Sequence, residues 1–218
     1  MDLSIYLSPL SEEFTDSELW KKNTLGASIV NYASDVEVRE FNIALIGVLE
    51  GRGAEFPSNL EGGTKAVRNH FYSLFNHFPS VKIVDLGDVK SGAAVSDTYY
   101  AVSAIVKEMV KREVIPIIIG GSQDLTFATY TAYEELEQSV NIVSIDPTID
   151  IGVIEDEVND SNYMNHIVMH QPNYLFNYSS VGYQSYYTDD ELVSLMSKLN
   201  FDANRLGVVK SEIEEVEP

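Results

Sequence analysis

The sequence predicts an α/β protein, a mostly parallel sheet between two layers of helices. Three observations carry that expectation. Two apolar, β-branched runs, Val114-Ile-Pro-Ile-Ile-Ile119 and Asn141-Ile-Val-Ser-Ile145, read as strands buried on both faces. Each stops at a small or acidic turn, Gly120-Gly-Ser-Gln-Asp124 and Asp146-Pro-Thr-Ile-Asp150. Such turns lie at the carboxyl edge of an open sheet, where ligands gather. Finally, strand-like and helix-like segments alternate at a spacing that suits right-handed βαβ crossovers.

Composition narrows the function classes. The chain has 218 residues and 44% hydrophobic content, enough for a full core. Its 34 acidic against 14 basic residues give a net charge of -20, which repels nucleic acid and anionic membranes alike. With no cysteine, disulfides and thiolate metal sites are excluded, and a reducing cytoplasm is the expected location. Met1-Asp2-Leu3-Ser4 lacks a basic start before an apolar core, so no secretory signal is expected. No apolar run approaches the roughly 20 residues of a membrane helix.

In chain order, residues 1–38 read as an N-terminal helical extension, with helix-start chemistry at Ser11-Glu-Glu-Phe14 and Trp20 packing the arm onto the domain. Residues 39–218 read as the α/β domain. Phe41 to Leu49 is the first strong strand, followed by a glycine-rich loop over 50–63 that lacks the phosphate-loop ending and the dinucleotide spacing. A helix capped by Thr64 follows, with His70 and His77 read as surface histidines. Val81 to Asp88 is a strand; Ser96 caps a helix whose stripe is Val102, Ile105, Val106, Met109 and Val110. After the strand at 114–119, Ser122 reads as a helix cap with Asp124 in the first turn. Beyond the strand at 141–145 comes a long loop over 152–172, then a strand within 174–184 and a helix started by Thr188-Asp-Asp-Glu191. The aromatics Tyr174, Phe176, Tyr178, Tyr183, Tyr186 and Tyr187 are expected to pack on that strand.

Four pieces in order are similar to the ureohydrolase family of arginase, agmatinase and formimidoylglutamase. They are Gly62-Gly-Thr-Lys-Ala-Val-Arg68, Val84-Asp-Leu-Gly-Asp88, Ile119-Gly-Gly-Ser-Gln-Asp124 and Ser144-Ile-Asp-Pro-Thr-Ile-Asp150. The resemblance runs from about Phe41 to Val209, with a formimidoylglutamase-like flavour. It implies an arginase-like α/β fold and hydrolysis of the C–N bonds of linear amidines. It also implies a two-manganese site that generates the attacking hydroxide, and a homo-oligomer.

Carried over by position, Asp146 and Asp150 match two aspartate ligands. Gln123 and Thr148 stand where histidine ligands are expected, and Ser122 replaces an aspartate. An amide and a hydroxyl are poor substitutes for imidazole on manganese, though the carboxylates suit one weakly held divalent cation. Asp146 and Asp150 stay open between metal ligands and ordinary turn aspartates, while Gln123 and Ser122 read better as capping groups. His166, with His170 in the same loop, is the candidate catalytic group. The resemblance places further ligand aspartates on a later strand, so the domain is expected to be C-terminally incomplete and to lack its central strands. The runs at 114–119 and 141–145 are then left with unpaired edges. Degenerate motifs with weak or absent manganese-dependent hydrolysis are the expectation. The alternative is an active formimidoylglutamase- or arginase-type hydrolase with altered ligands.

Overall fold

The computed structural model describes residues 2–33, 35–54, 60–152 and 157–216. The chain divides into two compact units, Met1–Ala132 and Tyr133–Pro218. In the first unit the elements run β1 (Leu7–Ser8), α1 (Glu12–Thr15), β2 (Val30–Asn31), β3 (Ile43–Val48), α2 (Gly63–Ser73), β4 (Ile83–Val89), α3 (Val95–Lys111) and β5 (Ile115–Ile119). The unit boundary falls within α4 (Leu125–Glu134). The second unit holds β6 (Val140–Ile145), α5 (Tyr163–Met169), β7 (Leu175–Tyr183), α6 (Asp190–Lys198), β8 (Asp202–Arg205) and α7 (Leu206–Val216).

The α/β architecture with a mostly parallel sheet expected from the sequence is present, with the sheet in two parts. One has the order β1-β4-β3-β5, with β2 also on β4; the other has the order β6-β7-β8. Among the described residues every pairing between these strands is parallel except β1 with β4. β3 is buried along nearly its whole length, as its apolar run requires, and β4 is buried as well, its Asp85 and Asp88 paired with Arg68. β5 ends the first sheet and β6 begins the second, which are the two edges the sequence left without neighbours.

Residues 1–38, read as a helical extension, hold one turn of α-helix, three-residue 3-10 turns and two two-residue strands that pair with β4. Trp20 stacks on Phe14 at 6.2 Å and tilts against Tyr72 at 5.1 Å. Phe14, Tyr72, Leu45, Ile83 and Ile119 form one buried cluster, which ties the arm to the sheet. Burying each such side chain stabilises by about 1.5–3 kcal/mol.

Helix starts differ from expectation by a few residues. α2 begins at Gly63 after left-handed Gly62, and Thr64, expected as the cap, lies inside the helix with its hydroxyl 3.3 Å from Asp88. α3 starts at Val95, with the Ala94 amide donating to Asp97 at 2.9 Å. Its expected stripe is buried except for half-buried Val110. The loop expected over 152–172 contains α5, because Tyr163, Met164 and Ile167 share one buried face. β8, Asp-Ala-Asn-Arg, was not expected at all. Of the aromatics assigned to strand packing, Tyr178 is buried against Phe201, whereas Phe176, Tyr186 and Tyr187 are 80%, 100% and 68% exposed. No helix among the described residues is long and apolar enough to cross a membrane.

The buried face of α2 is polar: Thr64, Arg68 and Tyr72, spaced at i, i+4, i+8. Arg68 Nε and Nη2 donate to Asp85 at 2.8 and 3.0 Å, Nη1 donates to Asp88 at 2.6 Å, and the Tyr72 hydroxyl donates to Asp85 at 3.0 Å. Gly47 leaves room for this fork, since a Cβ there would sit 1.8 Å from an Asp88 oxygen. Removing the guanidinium strands Asp85, whose side chain is 0% exposed. Arg68→Ala is therefore expected to lower unfolding free energy by about 3–5 kcal/mol in urea titration. A loss below about 1 kcal/mol would contradict the network's role.

Candidate functional site

Each sequence-predicted turn lies at the carboxyl end of its strand. In the second unit, the Asp146 amide donates to Val181 O at 3.1 Å, the last rung between β6 and β7. The chain then turns through Pro147, whose carbonyl accepts from the Gln184 amide at 2.9 Å and the Thr188 hydroxyl at 3.3 Å. The Thr148 amide donates to Asp146 Oδ1 at 2.9 Å, an Asx turn that folds the segment back. Thr148 Oγ1 lies 2.7 Å from Asp146 Oδ1 and 2.8 Å from Asp150 Oδ1. The structure thus brings together three of the predicted residues, Asp146, Thr148 and Asp150.

Asp150 is 6% exposed, and its Oδ2 is buried with no hydrogen-bond partner. Burial pushes its pKa up to about 6, and the Asp146 charge adds to the rise. The Thr148 hydroxyl and, more weakly, that of Tyr163 pull it down. Tyr163 was not singled out in the sequence; it lies on α5, 13 residues past Asp150, and only the buried face of that helix would have marked it.

In the first unit, Gly120 and Gly121 have φ of 86° and 87°, values that favour glycine. Ser122, expected to cap α4, instead donates from its amide and hydroxyl to Glu50 O at 2.9 and 3.3 Å. The Glu50 side chain is itself buried, and hydrogen bonds from Arg52, with a smaller contribution from Thr98, hold its pKa at about 2. Gln123 is half-buried, and its carbonyl accepts from the Thr126 amide at 3.0 Å. Asp124 is fully buried and accepts a short hydrogen bond from the Tyr99 hydroxyl. Gly53 packs against it, since a Cβ there would lie 2.2 Å from an Asp124 oxygen. Part of the glycine-rich loop, residues 55–59, lies outside the described residues.

His166 sits on α5 rather than in a loop. With Asn165, Met169, His170 and Gln171 it lines a cavity of about 290 Å³, to which Asp146, Thr148 and Asp150 do not contribute. His170 Nε2 lies 2.8 Å from a Glu134 carboxylate oxygen.

A sequence model of the arginase family matches residues 41–215. The chain belongs to the arginase family. A search of curated proteins returned no match for this arginase-family chain. Among solved structures it is similar to a Trypanosoma cruzi formiminoglutamase with Mn2+, at 15% identity and TM-score 0.72, covering 82% of this chain and 65% of that one. It is also similar to Bacillus subtilis formimidoylglutamase, at 13% identity and TM-score 0.73, covering 94% and 64%. A hypothetical agmatinase from Burkholderia thailandensis matches at 15% identity and TM-score 0.66, covering 80% and 57%. The arginase-family chain therefore spans about two thirds, or less, of the length of these structures.

The donors at the end of β6 can be tested against manganese. They are two carboxylates and a hydroxyl already engaged with both, with no imidazole among them. Among the described residues no group of three or more His, Asp or Glu side chains is arranged to hold a metal ion. These residues by themselves do not fit a two-manganese centre.

The raised pKa of Asp150 has a defined consequence. Between its ordinary value of 3.8 and about 6, the folded chain binds more protons at this carboxyl than the unfolded chain does. That contribution to stability is present below pH 3.8 and is lost as pH rises towards 6. Asp150→Asn removes it, so the variant is expected to gain stability relative to the parent as pH rises from 4 to 7. Urea unfolding of both proteins at several pH values reads this directly, and a difference independent of pH would contradict the assignment.

Proposed function

We propose that this arginase-family chain has degenerate metal motifs and little or no manganese-dependent hydrolysis of linear amidines. The observation that carries this reading is the Thr148 hydroxyl, 2.7 and 2.8 Å from the carboxylates of Asp146 and Asp150. A histidine at that place would offer a nitrogen lone pair to a cation; threonine offers one proton, donated to one of the two carboxylates at a time. Supporting it, Ser122 and Asp124 are committed to Glu50 and Tyr99. The reducing cytoplasm is the proposed location, in keeping with a chain that has no cysteine.

A second reading is favoured by one atom. Asp150 Oδ2 is buried without a partner, and a buried carboxylate oxygen is costly to leave unsatisfied. A single divalent cation held by Asp146 and Asp150 would supply that partner. In this reading the protein is an active formimidoylglutamase- or arginase-type hydrolase with altered ligands, and linear amidines are its substrates.

Turnover separates the two. Formamide release from formimidoylglutamate and urea release from arginine and agmatine are expected to stay at the enzyme-free rate with manganese added. Manganese-dependent release that Asp146→Asn abolishes would establish the second reading instead.

A further inference from the structure

Helix α2 is amphipathic the wrong way round. Its buried face is Thr64, Arg68 and Tyr72, while Val67 on its outer side is 48% exposed. The exposed apolar run continues past the helix end through Leu74, Phe75 and Phe78, at 55%, 53% and 73% exposure. Phe71, between them, is half-buried against the core cluster. The turn that follows is hydrogen-bonded: the Phe78 amide donates to Asn76 Oδ1 at 3.0 Å and the Val81 amide to Phe78 O at 2.9 Å. The N-terminal arm runs beside it. The Leu25 amide donates to Leu74 O at 2.8 Å and the Asn76 amide to Asn23 O at 2.8 Å. Lys21 Nζ stands 5.0 Å from the centre of the Phe75 ring. Three large apolar side chains are thus held out to water together, as at interaction surfaces.

Charge singles out the same face. The chain carries 34 acidic residues in 218, yet neither 19–33 nor 62–84 contains an aspartate or glutamate. Those two segments hold Lys21, Lys22, Lys65, Arg68 and Lys82, with His70 and His77. Arg68 is buried and Lys65 pairs with Glu13, whereas Lys21, Lys22 and Lys82 are exposed. The face is apolar with a basic rim, in a protein of net charge -20. It is also separate from the open edges of β5 and β6. It lies at the amino end of β4, which has β3 on one side and β1 and β2 on the other.

We infer that this face docks an acidic amphipathic segment of another protein, with apolar side chains on Leu74, Phe75 and Phe78 and carboxylates on Lys21, Lys22 and Lys82. Aromatic side chains that lose water at the centre of an interface, with polar groups at the rim, are where binding energy concentrates. Size selects a short segment over other polyanions. Duplex DNA carries one charge per about 1.7 Å, and an anionic membrane presents a charged plane. Either would extend past the basic rim onto acidic surface. A short acidic segment places its charge on the rim alone. The Asp146–Thr148–Asp150 turn, in the second unit, takes no part.

Fluorescence anisotropy tests this with a labelled helical peptide of leucine and glutamate, apolar on one face, added to the full chain. Binding that weakens as salt rises is expected, and a peptide with serine for leucine is expected to bind about tenfold less tightly or worse. Phe78→Asp is expected to raise the dissociation constant about tenfold or more, and so is Lys21→Glu combined with Lys82→Glu. These positions are exposed, so the unfolding midpoint is expected to match the parent. Should Phe78→Asp fail to fold by circular dichroism, the lysine pair carries the test. Hydrogen exchange with the peptide bound is expected to show added protection within 19–26 and 67–82. Absence of binding, indifference to the substitutions, protection confined to other segments, or tighter binding of duplex DNA or phosphatidylserine vesicles would overturn the inference.

Discussion

Thr148 Oγ1 lies within hydrogen-bond distance of Asp146 and Asp150 at once, and the chemistry available at the end of β6 follows from that placement. A hydroxyl carries a single proton, so it donates to one carboxylate at a time while holding both close. Two carboxylates that share a neutral donor need no cation to stay together. The burial of Asp150, and the rise in its pKa to about 6, add to this by favouring a proton on the carboxyl over a full negative charge. The same turn in a protein with imidazole at position 148 would present a ligand in place of a hydrogen-bond donor.

The first unit spends its polar groups similarly. Arg68 is fully buried and satisfied by Asp85, Asp88 and Gly87 O, so the acidic residues of β4 serve the anchoring of α2. Ser122 is bound to the backbone of Glu50, and Asp124 to Tyr99. Turns at a carboxyl edge are where ligand chemistry is usually found, yet here the hydrogen bonds close inward. The fold of the family is retained, at an identity of 15% or below to its solved relatives shown above.

Much of this was legible in the residues. The runs at 114–119 and 141–145 announced parallel strands, but the burial on both faces expected of them is not found, since Ile115, Ile117, Val143 and Ile145 are exposed. The stripe of α3 was readable from its period, and four short motifs in order pointed to the family matched over 41–215. Asp146, Thr148 and Asp150 were also legible, being close in sequence. What escaped notice has physical reasons. β8 has no apolar alternation and exists because β7 offers it a parallel edge. α5 lies in an asparagine-rich stretch whose three buried residues are hard to separate from loop. Tyr99 meets Asp124 across 25 residues, a contact set by packing alone.

A turn held by hydrogen bonds among Asp146, Thr148 and Asp150 does not serve a manganese pair. Electron paramagnetic resonance during titration of the metal-free protein with Mn2+ tests this most directly, because only the unbound ion gives the sharp aqueous signal. The expected signal grows in proportion to added metal from the first aliquot. Loss of that signal until two equivalents have been added, followed by its recovery in Asp146→Asn, would contradict it.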